Sequence, residues 1–390
     1  MNFLFALGKG IRNFWLMLGI TLVIVVGAEL ALRVVYHFRD GQHVDPFTYK
    51  ISSDCFKNSP WVGDYFREDH AAAILDWHSY VYWRLRPYHG KYVNVDNDGI
   101  RRTWQSPDSA AAGALNIFVL GGSTTWGNGA RDLHTVPSEL SRLLHERGVK
   151  AHVTNFGESG YVSMQELITL ELQLRKGNIP DLVVCYDGVN DSYAAWQQRS
   201  AGIPQNEASR AVEFNMTNPK RRAQRAGLLL REYASNLALR RFAESIVHHL
   251  PKHGTPPPPI ETVPDDILAQ NVVATYKGHM DLIRALANTY GFKYVFFWQP
   301  DIFEKKSLSP SEQVQADLMK TEGVFFHKAY DAMRAARVEE SSDGHFHDIS
   351  TIFADETSPV YFDFCHMGEE GYHAVAAHMI DPVLETLNAR

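Results

Sequence analysis

The stretch Leu115-Asn116-Ile117-Phe118-Val119-Leu120-Gly121-Gly122-Ser123-Thr124-Thr125-Trp126-Gly127 decides the fold. Its first six residues are apolar apart from Asn116, and a glycine pair closes the run. A short apolar run punctuated by glycine reads as a strand buried on both faces. Downstream, Val136 to Arg147 places Leu140, Leu143 and Leu144 on one helical face. Val149 to Val153 resembles a second strand, and Met164 to Leu174 is helical again. Asp181 to Tyr186 is a third strand, ended by Asp187-Gly188. Tyr276 to Tyr290 reads as a helix, followed by Gly291 and the strand Tyr294 to Trp298. Gly371 to Leu387 is a C-terminal helix. Alternating strands and helices predict a parallel sheet covered on both faces, a three-layer α/β/α domain over residues 111–390.

Composition narrows the possibilities. Of 390 residues, 45% are hydrophobic and 21% charged, which excludes a disordered chain or a collagen-like repeat. Lys+Arg 38 against Asp+Glu 45 gives a net charge of −7, against the concentrated basic surface that nucleic acid requires. Cys55, Cys185 and Cys365 form no spaced pair, so neither a zinc site nor a disulfide framework is indicated.

Residues 1–40 read as a membrane anchor with a short cytoplasmic tail. Phe14 to Val26 is apolar, and the segment to Tyr36 is interrupted only by Glu29 and Arg33. That length crosses a hydrocarbon core of roughly 30 Å as a helix. Glu29 and Arg33 are four apart with the acid first, a favourable pair on one face. Lys9 and Arg12 before the run favour a cytoplasmic N-terminus, although Arg33 and Arg39 follow it. Val26-Gly27-Ala28 also fits a signal-peptide cleavage site, and a buried core helix is a third reading. With an anchor or a signal peptide the main domain lies outside the cytoplasm, in the periplasm of a Gram-negative cell.

Residues 41–110 are aromatic-rich and carry no long helical period. Tyr80, Tyr82, Trp83, Tyr88 and Tyr92 alternate with polar residues, and Asn97-Asp98-Gly99 signals a turn. This region is expected to connect the anchor to the main domain and pack on it. Residues 199–265 interrupt the alternation as an insertion or lid. It is basic from Lys220 to Arg225, helical around Leu228 to Leu250, and ends in the stiff spacer Pro256 to Pro259. Residues 301–345 form a second excursion, helical between Ser311 and Val338.

The chemistry-bearing residues sit where strands end, which is where open parallel sheets bind ligands. Ser123 follows the first strand. Gly160 follows the second, in Asn155-Phe156-Gly157-Glu158-Ser159-Gly160. Asn190 follows the third, in Gly188-Val189-Asn190-Asp191. Asp363 and His366 precede the last helix, in Asp363-Phe364-Cys365-His366. Taken singly, Ser123 fits a helix cap, Gly160 and Asn190 fit turn residues, and His366 fits a structural histidine.

Taken in order, the Ser, Gly, Asn and Asp-x-x-His blocks resemble the SGNH (GDSL-like) hydrolase superfamily over roughly residues 115–385. The resemblance implies a flavodoxin-like sandwich and a serine esterase needing no metal or organic cofactor. His366 would be the base that activates Ser123, and Asp363 would orient its imidazole. The oxyanion hole would comprise the Ser123 and Gly160 backbone N–H groups and the Asn190 amide. Gly122 stands where the family usually has Asp. Such Gly-Gly-Ser-Thr versions resemble a bacterial, often membrane-anchored subgroup, some of whose relatives transfer acetyl groups on polysaccharides.

The expected substrate is therefore an O-acyl, preferably O-acetyl, ester of an envelope glycan, with lipid esters next. Two alternatives remain open: an O-acyltransferase sharing the acyl-serine and a membrane acyl-transfer partner, or a non-catalytic envelope assembly component. The Gly-x-Ser-x-Gly elbow fails because Thr125 follows Thr124, and a phosphate-binding loop fails for want of Lys. His345-Phe346-His347 offers two imidazoles but no third ligand and reads as a surface loop. Asp187 and Asp191 read as loop-ordering groups, Cys365 as a packing residue, and Trp126 as either pocket lining or core.

Overall fold

The computed structural model describes residues 2–39, 47–216, 263–336 and 344–389, together with residues 227, 237–240, 242 and 338. The chain forms two compact units, Met1–Pro46 with Ser209–Ile260, and Phe47–Ala208 with Glu261–Arg390.

In the first unit, helix α1 (Asn2–Arg39) contains Arg12–Tyr36, a span with mean hydropathy 2.2. It is long and apolar enough to cross a membrane, and its side chains from Phe14 to Val26 are exposed. Arg33 Nε donates to Glu29 Oε1 at 2.7 Å, the expected pairing one helical turn apart. Glu29 also accepts the backbone N–H groups of Ala238 and Leu239. The basic cluster from Lys220 to Arg225, nearly all of the expected helix at Leu228 to Leu250, and the proline spacer lie outside the described residues.

The second unit begins with α2 (Thr48–Ile51), α3 (Val62–Ala72) and two hairpins, β1 (Leu75–His78) with β2 (Tyr82–Leu85) and β3 (Tyr88–His89) with β4 (Asn94–Val95). Next come β5 (Leu115–Gly121), α4 (Ser123–Trp126), α5 (Val136–Glu146), β6 (Ala151–Asn155), α6 (Ser163–Arg175), β7 (Leu182–Asp187), α7 (Val189–Gln198) and the first two residues of α8 (Glu207–Met216), which from Ser209 on belongs to the first unit. The chain finishes with α9 (Asp265–Tyr290), β8 (Lys293–Trp298), α10 (Pro310–Leu318), α11 (Lys320–Ala335), β9 (Phe346–Asp348) and α12 (Glu369–Asn388).

The sheet is five-stranded and parallel, in the order β6-β5-β7-β8-β9. Strand alternation divides its side chains between two cores. Phe118, Leu120, Val183, Cys185, Phe296 and Trp298 face α6, α9 and α11. Ile117, Val119, Leu182, Val184, Val295 and Phe297 face α5 and α12. Both faces are dry, so the strands read as continuous apolar runs and not as alternating ones. The fold is the α/β/α sandwich of the sequence reading, with one N-terminal helix of membrane-spanning length.

Two sequence expectations are corrected and one open reading is resolved. Residues 41–110 do contain a helix, α3, whose Val62, Tyr65 and Phe66 are buried with Phe56, Trp126 and Phe362. Trp126, open between pocket and core in the sequence, is core, with the Arg101 guanidinium 4.1 Å from its ring centroid. His345 precedes and His347 lies within β9, a fifth strand of the sheet that replaces the expected surface loop. His345 Nδ1 bonds Tyr294 O at 3.0 Å, and His347 stacks on Phe297.

The outer edge of β6 is covered by a loop. The Gln105 amide donates to Val153 O at 2.6 Å and accepts from Val153 N at 3.2 Å. Beside it, buried Arg101 bridges to Asn155 and bonds Asp132 and the carbonyls of Trp126, Gly127 and Ala130. At the base of the insertion, Arg199 and Asp265 pair at 2.6 Å.

Candidate active site

The strand order reverses direction at β5 and β7, and a topological switch of this kind leaves a crevice at the strands' carboxyl ends. Ser123 opens α4 directly beyond β5, and Asn190 lies in the first turn of α7 beyond β7. Both residues therefore stand on rigid elements, on either side of the crevice.

Ser123 Oγ lies 2.7 Å from His366 Nε2, and His366 Nδ1 lies 2.7 Å from Asp363 Oδ2. The other carboxylate oxygen, Asp363 Oδ1, accepts the backbone N–H groups of Cys365 and His366 at 3.0 and 2.8 Å. Burial works to raise the Asp363 pKa, but the adjacent imidazole and these hydrogen bonds outweigh it and hold the carboxyl below its ordinary range. The loop is pinned from beneath by the Ile302 N–H, which donates to Phe364 O at 2.9 Å. Phe362 stacks on the His366 ring at 5.7 Å and 19°, fixing the plane of the imidazole.

Asp363, Cys365 and His366 also bring potential metal-ligand atoms within 4.8 Å of one another. Their chemistry does not fit a metal. The carboxylate and imidazole are already bonded to each other, and burial pushes the Cys365 thiol well up, disfavouring the thiolate that metal binding needs.

Opposite the serine, Gly160 adopts a left-handed backbone with φ 71°, which a residue with a Cβ enters only at a cost. Asn190 Oδ1 accepts from Gln205 Nε2 at 3.2 Å, leaving its Nδ2 against Gly122. A Cβ at position 122 would collide with that Nδ2. The glycine that departs from the family pattern thus leaves room for the Asn190 amide beside Ser123. Gln205 also lies over Gly160, 3.6–3.7 Å from where a Cβ would stand, so it covers both predicted donor residues. The sequence reading missed Gln205, which sits in a pattern-free stretch at the start of the insertion.

Buried carboxyls brace these loops. Glu158 accepts from Leu85 N and Ser159 N, and burial raises its pKa to about 7. Asp191 accepts from the Ser163 backbone and hydroxyl and is likewise raised by burial to about 7, so α7 is tied to the start of α6. Asp187 accepts from the Tyr276 hydroxyl at 2.9 Å. These two aspartates do order loops, as expected, but from inside the core. Thr124 joins the site to β8 through Gln299 Oε1 at 2.7 Å.

A lipase/acylhydrolase from Enterococcus faecalis shares 13% identity at a TM-score of 0.37, over 69% of this chain and 95% of that one. A lipolytic G-D-S-L family member from Veillonella parvula shares 14% at 0.38, over 70% and 97%. An acetyl xylan esterase shares 15% at 0.36, over 69% and 100%. These are distant overall likenesses. No curated protein matches the chain. The sequence profile of the GDSL-like Lipase/Acylhydrolase family, however, matches residues 119–374, which include Ser123, Gly160, Asn190, Asp363 and His366, and on that match the chain belongs to this family.

Proposed function

We propose that the chain is a serine esterase acting on O-acyl esters, preferably O-acetyl groups of envelope glycans outside the cytoplasm. The observation that carries this reading is the continuous hydrogen-bond chain from Ser123 Oγ through His366 to Asp363. A serine hydroxyl is a weak nucleophile until a base removes its proton, and His366 Nε2 is within reach to do so.

Ser123 Oγ attacks the ester carbonyl while its proton passes to His366 Nε2. Asp363 holds the imidazole in the tautomer with hydrogen on Nδ1 and stabilises the imidazolium. The carbonyl oxygen becomes an oxyanion, received by the Ser123 and Gly160 N–H groups and Asn190 Nδ2. Collapse expels the alcohol oxygen, which takes the proton from His366 and leaves an acyl-serine. Water then repeats the attack, giving its proton to His366, and the second collapse returns that proton to Ser123 Oγ and frees the carboxylic acid. A sugar hydroxyl replacing that water would make the same machinery an acyltransferase.

The test is covalent labelling of the full chain in detergent micelles with a fluorophosphonate, mapped by mass spectrometry. Fluoride is displaced by an activated serine, so Ser123 is expected to carry the adduct. Ser123→Ala and His366→Ala are expected to lose it. A folded protein that takes up no label at Ser123 refutes the proposal.

A further inference from the structure

The hairpin of β1 and β2 pairs from Leu75 with Leu85 to His78 with Tyr82 and presents aromatic rings to solvent. Trp77 is 73% exposed and Tyr80 68%. Tyr80 and Tyr82 both hold left-handed backbone, at φ 73° and 72°, a conformation that side chains with a Cβ resist. Strain of this kind persists where surrounding bonds impose it, and it gathers at ligand clamps. Here Gln165 Nε2 donates to Val81 O at 2.8 Å, and the Tyr161 hydroxyl donates to Trp83 O. Trp83 Nε1 in turn donates to Ser159 O at 2.8 Å, so the hairpin is bonded to the loop that carries Gly160.

Against the hairpin lies a groove of about 350 Å³ that includes Trp77, Tyr80, Arg84 and Arg86. A second cavity of about 520 Å³ continues along the edge strand β6 past His152 and Thr154. Asp98, Gln173 and Lys176 line both, so the two form one continuous track. Arg102, Arg175 and Lys176 are exposed along it, against the exposed carboxylates of Asp96 and Asp98.

The shape calls for an extended occupant, and the chemistry selects its class. Aromatic faces carry negative charge density and pack against the C–H face of a sugar ring. Polar walls supply partners for hydroxyls, and exposed cations favour acid groups. A peptide strand is blocked at Val153, whose N–H and C=O are both taken by Gln105. A lipid surface fits poorly, because Trp77 is flanked by the two-bond ion pair of Asp76 with Arg86 and stands over charged walls that would lose water.

We propose that this track binds an extended acidic polysaccharide, with Trp77 and Tyr80 as stacking platforms. The proposal rests on the glycan-esterase reading above for its occupant's relation to Ser123. Binding is read in the Ser123→Ala chain, so its failure and the failure of fluorophosphonate labelling are separate results.

The experiment titrates the full Ser123→Ala chain in detergent micelles with hexagalacturonate, and with neutral cellohexaose for comparison. Saturable hexagalacturonate binding is expected, stronger than cellohexaose and weakened by salt. Adding Trp77→Ala is expected to weaken it about tenfold or more, and Trp77→Phe to restore most of it, with the melting temperature unchanged in both. Absence of saturable hexagalacturonate binding, or binding indifferent to Trp77→Ala, overturns the proposal. So does Trp77-dependent binding to phosphatidylglycerol vesicles without sugar binding, which would assign the hairpin to a membrane.

Discussion

Single atoms decide whether the proposed chemistry runs. Asn190 is held on one side by Gln205 and on the other by the space that Gly122 leaves. Asn190→Ala is expected to lower kcat by about 10²–10³ with a smaller effect on KM, because an oxyanion donor acts chiefly in the transition state. Gly122→Ala is expected to fall in the same direction by displacing the amide. Hydrolysis of p-nitrophenyl acetate would measure both, and a KM effect with unchanged kcat would remove Asn190 from the oxyanion hole. Ser123, Gly160, Asn190, Asp363 and His366 were legible in the sequence because each is placed by a strand end or a short loop. Gln205 was not, since a side chain that reaches a site from an irregular segment leaves no periodic or motif signal. Trp126 stayed ambiguous for a related reason. An aromatic next to a nucleophile fits a pocket or a core equally well until its neighbours Arg101, Tyr65 and Phe66 are placed around it.

At the level of helices and strands, the buried carboxyls link the loops of the site to pH. Glu158 anchors the Gly160 loop to β2, and burial raises its pKa from 4.5 to about 7. The folded chain therefore holds this proton up to about pH 7, whereas the unfolded chain releases it near 4.5. Between those values the native state binds more protons, so this group's contribution to stability is full at lower pH and declines as pH rises. Glu158→Gln is expected to flatten the fall in melting temperature over that window, as followed by thermal unfolding from pH 4.5 to 8. Equal slopes in the two proteins would exclude Glu158 as a source of the fall. The main strands and helices were legible because each is a long run with glycine punctuation. Two escaped. β9 is only Phe346–Asp348 and sits among histidines, too short for any period to show. α3 carries Gly63 and a charged exposed face between its buried Val62, Tyr65 and Phe66, so its apolar stripe is weak over so few turns. The start of α9 at Asp265, well before Tyr276, was hidden because Pro264 and two acids begin it where a loop would also begin.

For the whole molecule, the apolar span of α1 carries a prediction about topology. Lys9 and Arg12 precede the apolar span, so the N-terminus is expected inside and the sandwich outside. Alkaline phosphatase fused after residue 390 and expressed in a Gram-negative host is expected to be active, since that reporter folds only in an oxidising compartment. An inactive fusion at normal abundance would place the sandwich in the cytoplasm. The sandwich itself was readable from alternation alone. One further consequence follows from the loop over β6. A sheet with a bare outer strand is a template onto which other chains add, the first step towards fibres. Gln105 lends Val153 a counterfeit neighbour made of one side chain, and Arg101 bridges beside it. The sheet is thereby given an end, so that copies crowded together have no bare Val153 on which to polymerise.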